Sequence, residues 1–257
     1  ASGDLLLDLI ERPLMSISHS LWLLRLPSLL AGLISLWLVW KLMQRLNFNR
    51  SQQIMTALLI AFLPGLIWVS QDARAYSLES MFFLGALWFA VTGGWLGLAA
   101  CSGLILYCHN TGLVYTASAL LIALFMQRKF KPWIFTSLAV IISWLPAVWR
   151  ILFSTYQNIS TQPVQPWAPV LTFYWFTHEF HMAMWAWTRN LSMAVAILVI
   201  MVLTIPLLLA EIKSREQSFT FLAMLLPIGL MTIVSLTWKN VLLYRTLFAA
   251  IYGLALW

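Results

Sequence analysis

Asp72, Arg74 and Glu79 fall within eight positions of one another in the stretch SQDARAYSLES (Ser70–Ser80), in a chain of which only 9% of residues carry a formal charge. A carboxylate takes a proton or holds a cation and a guanidinium pairs with an anion, so a grouping of both in an apolar chain is a candidate site. Glu79 lies three residues after Tyr76, inside an apolar run, where an ionised carboxylate needs a cation, a metal ion or water. A second grouping is His178 and His181 with Glu179 between them. Histidines three apart share a helix face and, beside an acid, can bind a metal. Trp167, Trp175, Trp185 and Trp187, interleaved with that pair, equally fit an interfacial helix with its rings at headgroup depth.

The elements that must position these residues follow from composition. Hydrophobic residues make up 62% of the chain and the mean hydropathy is +0.87. Apolar runs recur near the length of about 20 residues that crosses a bilayer, so the expectation is an all-α, polytopic membrane protein rather than a soluble domain or an outer-membrane barrel. About nine spans are expected, near Leu26–Leu42, Ile54–Val69, Tyr76–Val91, Leu96–Cys108, Gly112–Met126, Trp133–Leu152, Leu191–Ala210, Phe219–Leu236 and Val241–Trp257. The third and fourth are short enough to form one re-entrant hairpin without altering the count of crossings modulo two. Cys101 and Cys108 lie in one apolar segment and suit packing better than a disulfide.

The net charge of +7 is spread over short clusters between apolar runs, which argues for topology and against nucleic acid as a partner. Placing Lys41, Arg45 and Arg50 in the cytoplasm makes Arg128, Lys129 and Lys131, and then Lys213 and Arg215, cytoplasmic as well. The remaining polar residues then gather outside: Asp72 and Arg74, His109 and Asn110, the segment 154–190, and Lys239, Asn240 and Arg245. Convergence on one face reads as a site, although Arg189 or Lys239 taken singly also fits an interfacial anchor.

Several stretches carry a family resemblance. SQDARAYSLES, preceded by LIAFLPGLIWV, resembles the second outer loop of GT-C membrane glycosyltransferases, in the branch of the protein O-mannosyltransferases and the lipid A aminoarabinose transferases. WLLRLPSLLAGLISLWLVWKL is similar to that family's Arg-Leu-Pro-Ser segment, LILYCHNTGLVY to its Tyr-x-His-x-x-Gly segment, and LLYRTLFAAIYGLALW to a later one that usually reads Arg-Tyr. The resemblance covers most of the chain as a single domain, 1–257, with 1–25 part of a first outer loop and 154–190 an outer interfacial loop.

The resemblance implies transfer of a sugar from a polyprenyl-phosphate donor to a lipid, glycan or protein acceptor, at the outer face of a multi-pass protein in a bacterial inner membrane. Such a transfer needs a base for the acceptor and positive charge or a metal for the departing phosphate. Arg74, His109, Lys239 and Arg245 are the expected phosphate-binding residues. Glu79, at the family's metal-holding carboxylate, joins His178 and His181 as an expected ligand of a divalent ion, Mg or Mn. Tyr76 is expected to be a structural partner whose hydroxyl fixes the loop. The family's catalytic aspartate follows a first span absent here, so a piece of a longer enzyme is expected, with Asp72 or Asp8, or else Asp4 or Glu11, as the remaining bases. Alternatively LLLDLIERPL is a surface helix, and the chain is a transporter or a non-catalytic membrane scaffold.

Overall fold

In a computed structural model of the chain, the structure describes residues 5–18, 20–71, 74–109, 111–159 and, further on, 219, 222–223, 226–228 and 230. Up to residue 159 these form eight helices: α1 (Leu5–Ile17), α2 (Leu21–Arg45), α3 (Arg50–Phe62), α4 (Pro64–Gln71), α5 (Tyr76–Thr92), α6 (Trp95–Cys108), α7 (Gly112–Gln127) and α8 (Phe130–Ile159). No strand occurs among the described residues, as expected of an all-α chain. The expected spans from Leu191 and Val241 onward lie outside the described residues.

Local chemistry sets the boundaries. A capping box opens α3: the Gln52 amide donates to Asn49 Oδ1 at 2.9 Å, and the Asn49 amide to Gln52 Oε1 at 3.0 Å. The expected single span Ile54–Val69 is instead two helices meeting at 58°. Pro64 has no amide proton and drives the residue before it out of helical conformation, so Leu63 is extended (φ −70, ψ 114). At the other end of the bundle, α5 stops at Gly93, whose φ of +78 is the left-handed conformation glycine tolerates best.

The core is built around α5. Phe83, Leu84, Ala86 and Leu87 of this helix are buried with Val39, Leu42 and Met43 of α2, Ile105 of α6, and Tyr115, Ala119 and Ile122 of α7. Phe219 and Ala223 are buried in the same core. Cys101 and Cys108, both within α6, form no disulfide. The Ser28 hydroxyl donates to the Arg74 carbonyl and joins the start of α2 to the start of α5. Gln127 Nε2 donates to the Ala90 and Val91 carbonyls at 2.8 and 2.9 Å and joins the end of α7 to the end of α5. Thus α2, α5 and α7 run one way and the helices between them run back. Arg45, Arg128 and Lys129 therefore share the end opposite to Arg74 and His109.

Helix α2 is long and apolar enough by itself to cross a membrane, and the bent pair α3–α4 passes the same test when taken together. Helices α5, α6 and α7 are apolar but shorter. Large hydrophobic side chains face outward in continuous rows, Leu26, Leu30, Leu33 and Trp37 on α2 and Phe135, Leu138, Ile142 and Leu145 on α8. That is the reverse of a water-facing surface.

The Gln127 clamp has a measurable weight. Gln127→Ala leaves the Ala90 and Val91 carbonyls in the last turn of α5 without this donor, and a loss of about 1 kcal/mol is expected. Chemical unfolding of the purified protein in detergent reads it, and an unchanged midpoint would mean that water replaces the amide at no cost.

Candidate functional site

The site is built at the end of the bundle where α5 and α7 begin. Arg74 is exposed in the connection leading into α5, with its carbonyl held by Ser28 at 3.2 Å. The Ser77 hydroxyl donates to the Val69 carbonyl at 3.0 Å, which fastens the first turn of α5 to α4. Two residues on, in the same turn, Glu79 is 2% exposed, within reach of the positive N-terminal end of its helix. Its Oε1 accepts from the Thr111 hydroxyl at 2.8 Å.

His109 ends α6 in extended conformation (φ −156, ψ 161), which turns the chain so that Thr111 can start α7. Its Nδ1 lies 2.8 Å from Thr111 Oγ1, so His109, Thr111 and Glu79 form one hydrogen-bonded row across α5, α6 and α7. The ring of Tyr76 packs against His109 with centroids 5.4 Å apart. Burial lowers the imidazole from its ordinary 6.5 to about 4, so His109 is neutral near pH 7. As pH falls the unfolded chain takes up this proton first. The stability tied to the neutral ring is therefore complete above 6.5 and is lost on the way down to about 4.

Helix α1 covers the same end. Leu7 is buried with Ala75, Leu78 and Cys108, the direct neighbours in sequence of Arg74, Glu79 and His109. Asp8, half-buried beside Leu7 on α1, is thereby brought to the end of the bundle that holds them. Next to the site, a cavity of about 150 Å³ opens between α2 and the α3–α4 bend, lined by Leu29, Gly32, Leu36, Ile60, Leu66 and Ser70.

Of the residues expected from sequence, Asp8, Arg74, Glu79 and His109 are thus gathered at one end. Asp72, His178, His181, Lys239 and Arg245 lie outside the described residues. Thr111 went unnoticed in sequence, although a hydroxyl residue at a helix start two places after a histidine is a signal for such a bridge. Among the described residues no three His, Cys, Asp or Glu side chains gather as metal ligands.

Comparisons with protein-family models, with curated proteins and with solved structures found no match to this chain.

Proposed function

We propose that this chain is a multi-pass membrane glycosyltransferase that moves a sugar from a polyprenyl-phosphate donor to an acceptor at the outer membrane face. The observation that carries this reading is the convergence of Arg74, Glu79 and His109 under the helix of Asp8, at the end opposite Arg45, Arg128 and Lys129. Exposed Arg74 at the start of α5 offers paired donors to phosphate oxygens. The apolar cavity between α2 and α3–α4 suits an isoprenoid chain, and the outward apolar rows suit lipid contact. In the transfer the acceptor hydroxyl gives its proton to a base and its oxygen bonds the anomeric carbon. The bond from that carbon to the phosphate oxygen breaks, and polyprenyl phosphate leaves as an anion held by Arg74. The base comes from the same end, where Asp8 is the described carboxylate named by the sequence. A transporter fits less well, because these polar groups sit at one end of the helices rather than near their middle.

Two measurements on the full chain test this. In vesicles, cysteines placed at Gln71 and at Lys129, in a background with Cys101 and Cys108 replaced, are expected to label from opposite faces. A radiolabelled polyprenyl-phosphate sugar is expected to lose its sugar to a membrane acceptor. Labelling from one face, or no turnover of the donor, would overturn the reading.

A further inference from the structure

Resting on the membrane part of this reading, we propose that Lys41, Arg45 and Arg50, with the indoles of Trp37 and Trp40, bind the phosphate of an anionic phospholipid headgroup at the end of the bundle opposite Arg74. The outward face of α2 has the profile of one lipid. Leu26, Leu30 and Leu33 are exposed along it, Trp37 follows one turn on at 56% exposure, and Lys41 and Arg45 continue the row at intervals of four. From Leu26 to Trp37 the helix rises roughly 16 Å, close to half of a hydrocarbon core about 30 Å thick. An acyl chain laid on the leucines therefore brings its phosphate to the level of Lys41.

A cation that only sets topology needs no more than the right end of a span. Here the cations are also held in place. Lys41 Nζ lies 5.9 Å from the centre of the Trp37 ring, and Arg50 Cζ lies 5.9 Å from that of Trp40. The second contact reaches from the first residue of α3 back to α2, so cations from two helices flank one face. Gln53 Nε2 donates to the Phe48 carbonyl at 2.7 Å and fastens the connection between those helices. Arg50 is placed against its own helix, since a cation in the first turn opposes the macrodipole. An anion held between Arg50 and Lys41 removes that conflict. The described carboxylates, Asp8, Glu11 and Glu79, belong to the opposite end, so none of them neutralises these cations. Free phosphate or an acidic peptide would use the cations and leave the leucine row idle, whereas a phospholipid engages both. A choline headgroup would bring its own cation to the same place and cancel the attraction.

The experiment counts lipids bound to the purified full chain in detergent by native mass spectrometry, using phosphatidylglycerol and phosphatidylcholine with identical acyl chains. Each cation near an anionic headgroup is worth about fivefold in affinity, so phosphatidylglycerol is expected to bind the more tightly by at least that factor. The double variant Lys41→Gln with Arg50→Gln is expected to weaken phosphatidylglycerol about 25-fold and to leave phosphatidylcholine unchanged. Lys129→Gln, at the same end but between α7 and α8, is expected to change neither. Equal binding of the two lipids, an equal loss in Lys129→Gln, or displacement of phosphatidylglycerol by an equal concentration of inorganic phosphate would each overturn the proposal. If the double variant fails to fold, exposed Arg50→Gln alone decides, by its loss of about fivefold. Binding in detergent depends neither on the direction of insertion nor on sugar transfer. A chain that binds phosphatidylglycerol but transfers no sugar keeps the lipid site and loses the transferase reading, whereas a chain soluble without detergent overturns the membrane reading and the lipid site together.

Discussion

Arg74→Ala is expected to lower sugar transfer by at least about 10²-fold, the cost of removing one donor aimed at developing negative charge. Expression and unfolding midpoint are expected to hold, because the Arg74 side chain is exposed and the Ser28 hydroxyl bonds its backbone carbonyl. That carbonyl survives any substitution. Arg74→Lys is expected to recover little, since an ammonium group cannot make the paired, planar contacts that a guanidinium makes with phosphate oxygens. Initial rates with a saturating lipid-linked donor, set beside direct binding of polyprenyl phosphate, separate lost binding from lost chemistry. Normal turnover by Arg74→Ala would reduce the residue to an interfacial anchor.

Gly112→Ala carries the largest expected structural effect. A methyl group there would sit inside van der Waals contact of the Ile105 carbonyl oxygen and 2.9 Å from its carbon, and a backbone carbonyl cannot swing aside as a side chain can. Helix α7 would have to withdraw from α6, at a cost of about 1–3 kcal/mol for overpacking. The same residue closes the turn of the site, because its amide donates to the His109 carbonyl at 2.9 Å. Withdrawal of α7 would carry Thr111 away from His109 and Glu79, so transfer is expected to fall together with stability. Thermal unfolding in detergent and the transfer rate should move in parallel; a variant with wild-type stability and rate would show that α6 and α7 tolerate a wider separation.

The histidine and the glycine of this turn were legible as a pair in CHNTG, but their reasons were not. Gly112 is required by the approach of Ile105, seven residues back on another helix, and no local rule of turns or caps contains that contact. The break at Pro64 was legible in principle, since proline disfavours helix at Leu63, yet the uniform apolarity of residues 54–69 masked it as one span.

Composition and the length of its apolar runs determined by themselves that this chain is helical, because a backbone in apolar surroundings satisfies its polar groups best within a helix. The spacing of basic clusters likewise determined that Arg45 and Lys129 share one end and Arg74 and His109 the other, because short connections force successive helices to reverse. Only the tertiary structure decided which helices meet. Helices α5, α6 and α7 are apolar on every side, so periodicity names no contact face. The bond from Thr111 to Glu79, 32 residues apart, exists because α5 packs on α7 in one rotation about their axes, and that rotation is set by the fit of Phe83 against Tyr115.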